Sequence, residues 1–230
     1  MARIDTLRTN LQAVHERISA AEAAAGRTPG SVQLLPVTKF HPASDIALLR
    51  ELGITDVGEN REQEARDKFA QLSDMRFHMI GQIQSKKANA VARWAAACHS
   101  VDSAKLAHGL DRGMALALER GDRQTEILDC FIQISADGDA ARGGVIHDEV
   151  PALADTVREL EHLRLLGLMV VPPLDAEPEA VFSRARELAD SLGESMLLSA
   201  GMSADLEMAI AAGSDIVRVG TDILGPRPEA

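Results

Sequence analysis

Two short turns near the C-terminus bring small residues and bare backbone amides to positions where an anion could sit. They lie in MLLSAGMSADLEMAIAAGSDIVRVGTDILGPR, from Met196 to Arg227. The first, Ser199-Ala200-Gly201-Met202-Ser203, follows the apolar run Met196 to Leu198; the second, Gly220-Thr221-Asp222, follows Ile216-Val217-Arg218-Val219. Glycine lets a backbone approach a ligand closely, and a helix N-terminus offers unpaired N–H groups. Each turn alone reads as a tight strand-to-helix connection. In succession they match the phosphate site that (β/α)8 barrels build after strands seven and eight.

Four side chains stand out against apolar surroundings. Lys39 closes the run LLPVTKFHP, where it is either a surface lysine of a loop or an amine at a barrel mouth, able to condense with a carbonyl. Asn60 ends VGEN and reads equally as a helix cap or as a donor to a ligand. His78, inside RFHMIG, is a polar contact in the mouth or a satisfied core histidine. Arg218 interrupts an apolar strand, and a guanidinium is costly to bury without an acceptor. It meets either an unseen carboxylate or part of the ligand whose phosphate lies beside it.

Other chemistries find no footing. The seven histidines form no HExxH, no cysteine–histidine spacing suits zinc, and neither a GxSxG elbow nor a P-loop occurs. No metal is therefore expected. Cys98 and Cys130 sit in apolar runs and read as small core residues of a reducing compartment.

The elements that must position these residues alternate in type. An amphipathic helix with Ile4, Leu7, Leu11, Val14 and Ile18 comes first, stopped by Gly26 to Gly30. Strand-like runs follow at Leu34–Thr38, Ile54–Gly58, Arg76–Ile80, Cys98–Val101, Ile127–Ile134, Leu163–Met169, Met196–Ser199 and Ile216–Gly220. The gaps read as helices: Ser44–Leu52, Arg61–Leu72, Ser85–Ala96, Ala104–Arg120, Asp148–Glu161, Glu177–Leu192 and Ala204–Ala212. Parallel strands joined by helical crossovers, eight in number, close into a barrel. An open doubly wound sheet fits the same alternation less well, because no GxGxxG follows the first strand. The expected fold class is α/β: one (β/α)8 TIM barrel spanning residues 1–230, with an additional N-terminal helix.

Composition narrows the function. The chain has 230 residues, 46% hydrophobic and 26% charged, with a formal net charge of -11 and no basic block. That balance disfavours a nucleic-acid partner, which would need a basic face. No apolar stretch approaches a membrane span, and the N-terminus has no signal-like apolar core, so a cytoplasmic protein is expected.

The segments PVTK around Lys39, GENR from Gly58, FHMIGQIQSKK from Phe77, GLMVVPP from Gly167 and the tail from Leu198 resemble, in order, the pyridoxal phosphate homeostasis proteins. That family shares its fold with the N-terminal barrel of alanine racemase. The resemblance implies pyridoxal 5'-phosphate (PLP) as cofactor, held as a Schiff base on Lys39. It implies that Arg218 faces the pyridine nitrogen, that Ser203, Gly220 and Thr221 hold the phosphate, and that Asn60, His78 and Met202 lie around the ring. Arg61 stands where relatives carry tyrosine; Met79, Ile83 and Lys86 replace Phe, Leu and Asn of an FIGxLQxNK pattern. Arg142 stands where relatives often carry lysine, and an arginine forms no Schiff base.

The implied role is vitamin B6 homeostasis: holding a reactive aldehyde in protected form, with PLP-dependent apoenzymes as recipients. The alternative is a low-activity amino-acid racemase, and a third reading is an aldolase-like barrel using Lys39. The racemase route lacks its usual second base, since the chain contains no tyrosine. No second domain is evident, and a monomer is expected.

Overall fold

A computed structural model describes residues 2–139 and 142–227. The chain opens with helix α1 (Arg3–Ala24), whose stripe of Leu7, Leu11, Val14 and Ile18 is buried against the rest of the molecule. The buried Glu22 carboxylate accepts from the amides of Gly30 and Val32 at 2.9 and 2.8 Å, tying the end of α1 to the start of the first strand.

Eight strands follow: β1 (Gln33–Pro36), β2 (Asp56–Glu59), β3 (Arg76–Met79), β4 (Ala95–Val101), β5 (Leu128–Ile134), β6 (Leu163–Val170), β7 (Leu197–Ser199) and β8 (Ile216–Val219). They form one sheet in the order β1-β8-β7-β6-β5-β4-β3-β2. Every named pair is parallel. A parallel bridge between Val37 and Gly58 joins the two ends, and the Thr38 amide donates to the Gly58 carbonyl at 3.0 Å. The sheet is thereby closed into the expected α/β barrel.

Crossovers run through α2 (Ala43–Glu51), α3 (Glu62–Phe69), α4 (Ala88–Val91), α5 (Ala104–Glu119), α6 (Val150–Glu159), α7 (Pro178–Leu192) and α8 (Leu206–Ala211). A last turn, α9 (Thr221–Leu224), follows β8. Two cores result, because each strand buries both faces. The larger lies between strands and helices; the smaller, Leu35, Phe131, Met169 and Ile216, fills the barrel.

One expected helix is largely absent. Ser85–Ala96 holds only a 3-10 turn over Ser85–Lys87 and the single turn of α4, and Ala95 already belongs to β4. The alanine-rich run favours helix by propensity. Its pairing with Phe77 and His78 on β3 and with Asp129 on β5 overrides that preference. Cys98 and Cys130 are free and buried in register with each other, and burial pushes the Cys98 thiol up to about 12, which leaves it inert. Among the described residues, no helix is long and apolar enough to cross a membrane, and no cluster of His, Cys, Asp or Glu is arranged to hold a metal.

Candidate functional site

Lys39 sits in the turn that follows β1 and the Val37 bridge. The backbone on both sides of it is anchored. On one side, the Thr38 hydroxyl donates to the Glu59 carboxylate at 2.6 Å, and Lys68 Nζ donates to the Thr38 carbonyl at 2.8 Å. On the other, the Phe40 amide donates to Glu64 Oε1 at 2.6 Å. Lys68 completes the network with contacts of 2.6 Å to Glu59 and 2.7 Å to Glu64. Phe40 has φ 69°, the only non-glycine in that region among the described residues. Such strain costs about 1–3 kcal/mol and persists where surrounding contacts over-determine it. Here they do: Arg227 lies 3.6 Å from the Phe40 ring centroid and Arg61 5.2 Å. Among the described residues, the Lys39 amine itself has no hydrogen-bond or ion-pair partner.

Across from Lys39, Gly220 and Thr221 line the same cavity of about 240 Å³, together with Val37, Phe40, His41 and Arg227. A second cavity of about 280 Å³ opens beside Asn60, with Gln82, Gln133, Arg142 and Met169 in its wall. Both lie at the C-terminal ends of the strands. Asn60 is held there by a close approach: a Cβ on Gly81 would stand 2.1 Å from the Asn60 carbonyl oxygen, so only glycine fits. Asn60 does not cap α3, whose N-cap is Arg61, and its buried Oδ1 has no hydrogen-bond partner among the described residues. Arg142 is tied to Asp137 at 2.9 Å and to the carbonyls of Val171 and Pro172.

Arg218 is buried on β8, and its side chain reaches β7 and β6. Its Nη1 donates to Ser199 Oγ at 2.7 Å and its Nη2 to the Val170 carbonyl at 3.0 Å. No carboxylate forms an ion pair with it among the described residues. Burial pulls the guanidinium down to about 10, against the opposing charge of Asp205.

The remaining expected residues are dispersed. His78 points into the barrel, with Nε2 2.9 Å from Asp56 and Nδ1 3.0 Å from His99, and it lines neither mouth cavity. Met202 is exposed, its amide donating to Asp205 at 2.6 Å. Ser203 is half-buried in the same loop, outside the wall of the Lys39 cavity. Gly201 shapes that loop: it has φ +89°, and a Cβ there would meet Ala209 at 2.6 Å.

Residues 9–228 match the family model of the alanine racemase N-terminal domain. A pyridoxal phosphate homeostasis protein of Corynebacterium glutamicum is 60% identical over 218 residues, covering 93% of this chain and 99% of that protein. The chain belongs to the pyridoxal phosphate homeostasis protein family. A relative of that name from Mycobacterium tuberculosis is 45% identical, over 94% of this chain and 91% of its own length. PipY of Synechococcus elongatus, solved with PLP bound, superposes with a TM-score of 0.75 at 33% identity, covering 90% of this chain and 100% of that one.

In this member of the pyridoxal phosphate homeostasis family, the groups that sequence reading missed are those that hold the site without lining it. Glu59, Glu64 and Lys68 fix the lysine turn; the spacing of Glu64 and Lys68 on one helix face was the available signal. Arg17 of α1 binds the two glycine turns together. It donates to the Ser203 carbonyl at 2.9 Å, to Asp222 at 2.6 Å and to Glu207 at 2.7 Å. Nothing in the sequence of α1 marks Arg17 among its other charges. Its side chain is 35% exposed, so the ion pairs add little to global stability. Arg17→Ala should cost under about 1 kcal/mol of unfolding free energy, yet speed amide hydrogen exchange at 202–205 and 221–222 roughly fivefold. Unchanged exchange there would show that the turns hold without it.

Proposed function

We propose that this chain binds pyridoxal 5'-phosphate as a Schiff base on Lys39 and serves intracellular vitamin B6 homeostasis. One observation carries the reading: an amine with no polar partner among the described residues, on a backbone anchored from both sides, shares one cavity with the second glycine turn. The residues fit the group. Gly220 and Thr221 accept an anionic tail near the lysine, Asn60 offers an orphaned side-chain oxygen at the neighbouring wall, and Arg218 supplies a cation beneath the mouth. Ser203 assists the phosphate through the first glycine turn, and Met202 and His78 have the weakest geometric support. The PLP-bound relative at 33% identity adds to this fit.

Bound, the cofactor supplies an aldehyde for condensation with amines and a ring that withdraws electrons. The residues of this chain restrain the second property. Arg218 can only donate, so facing the pyridine nitrogen it would leave that nitrogen without a proton and weaken the ring as an electron sink. With no tyrosine in the chain, the partner base of a racemase is missing. Holding and delivering the aldehyde to PLP-dependent apoenzymes is the function this set of groups suits best. Purified protein incubated with PLP should colour, and borohydride followed by peptide mapping should put the label on Lys39. A loaded preparation should also reconstitute an apoenzyme.

A slow racemase is the second reading, and it has one observation in its favour. His41 lines the cavity beside Lys39, and burial lowers its pKa below that of an ordinary imidazole, as a neutral base would need. Sustained loss of optical activity from single amino-acid enantiomers would favour the enzyme; a constant rotation would favour the carrier.

A further inference from the structure

We propose that a one-way hydrogen-bond chain crosses the barrel interior from Asp56 to Arg218, making His78, His99 and Ser199 positioning residues for the Arg218 guanidinium. The role assigned to its last member rests on the reading that Arg218 faces the cofactor nitrogen. The links are short and consecutive. Asp56 Oδ1 lies 2.9 Å from His78 Nε2, and His78 Nδ1 lies 3.0 Å from His99 Nε2. His99 Nδ1 is 3.0 Å from Ser199 Oγ, which accepts from Arg218 Nη1 at 2.7 Å. His78, His99, Ser199 and Arg218 are all buried, and His99 stacks on Phe131 with centroids 4.3 Å apart.

The two ends determine the direction. A guanidinium only donates, and an ionised carboxylate only accepts. Partial burial opposes ionisation of Asp56, but hydrogen bonds from His78, Thr55 and Arg76 outweigh it and hold the carboxyl below the usual range. His78 therefore carries its proton on Nε2 and offers Nδ1 as an acceptor. His99 then donates from Nε2 and accepts at Nδ1, which the Ser199 hydroxyl satisfies. Burial, with His78 and Arg218 nearby, keeps the His99 ring neutral. Every proton in this direction has an acceptor. Reversed at His99, the fully buried Ser199 hydroxyl would receive two donors and its own proton would have nowhere to go, a costly outcome.

The consequence falls on Arg218. Ser199 is forced to present its lone pairs to Nη1, so the guanidinium is held by two neutral acceptors, the Ser199 hydroxyl and the Val170 carbonyl. Chains of this kind polarise cooperatively in a low dielectric. Asp56 stands at the far end of the chain, and among the described residues no carboxylate is in hydrogen-bond or ion-pair contact with the guanidinium; Asp205 acts on it only through its charge.

Two measurements test this. Nitrogen-15 NMR of histidine-labelled protein without cofactor should find a proton on Nε2 and none on Nδ1 in the rings of His78 and His99, assigned with His78→Gln and His99→Gln. A proton on Nδ1 of either ring at neutral pH overturns the chain. Separately, Ser199→Ala should release bound PLP about tenfold faster than wild type, the worth of one buried hydrogen bond. Ser199→Thr, which restores the hydroxyl, should stay within about twofold of wild type. Wild-type release from Ser199→Ala, in a protein that binds PLP and melts normally, ends the positioning role. Failure of the wild type to bind PLP ends the cofactor reading and that role with it, while the imidazole protons still decide the chain.

Discussion

Lys39→Ala should lose the borohydride-trapped pyridoxyl label completely while keeping the fold. The side chain is half-buried and has no polar partner among the described residues, so its removal leaves no unpaired group behind. Its effect on unfolding free energy should stay within about 0.5 kcal/mol, the range of substitutions that break no buried network. The coupling of total loss of covalent capture with unchanged melting separates a chemical role from a structural one. Lys39→Arg should behave the same way, since a guanidinium keeps the charge without condensing. A label that persists at another lysine in either variant would refute the assignment of Lys39. Differential scanning and intact-mass measurement on one preparation read both quantities.

Lys68→Met should be the most destabilising single change at the site, by roughly 3–5 kcal/mol at neutral pH. Glu59 is fully buried and Lys68 nearly so, and they meet at 2.6 Å. Deleting the ammonium strands a carboxylate that one partner, the Thr38 hydroxyl, cannot compensate. The same deletion unties the Thr38 carbonyl, so the Lys39 turn should loosen and capture of PLP should slow. The pH dependence has a definite sign. Burial already raises the Glu59 pKa above its ordinary value, against the opposing pull of Lys68. Removing Lys68 raises it further. A group whose folded pKa is raised contributes stability at low pH that is lost as pH rises through the folded value. The deficit of Lys68→Met against wild type should therefore shrink from pH 7.5 to pH 5, measured by urea unfolding. A deficit that grows on acidification would show that Glu59 is not the stranded charge.

Much of the architecture was legible because strands buried on both faces are written as short continuous apolar runs. All eight observed strands overlap the expected ones, and the helix stripe of Leu7, Leu11, Val14 and Ile18 follows from period alone. The failure at Ser85–Ala96 has a physical cause: alanine favours helix locally, and only partners distant in sequence made Ala95–Val101 a strand. At the site, the anomaly of Lys39 beside a strand end and of Arg218 inside an apolar strand was visible in one dimension. Asn60 was visible too, and only the structure removed its cap reading, because Arg61 is the N-cap of α3.

By itself, the order of residues determined the barrel, the lysine turn and the two glycine turns, because local burial and turn chemistry depend on neighbours along the chain. Which groups converge was decided only by closure of the barrel. Asp56, His78, His99, Ser199 and Arg218 come from five different strands, and Arg17 reaches the glycine turns from nearly two hundred residues away. Hydrogen bonds depend on distance in space to within a few tenths of an ångström. No spacing along the sequence encodes that distance until the first and last strands meet.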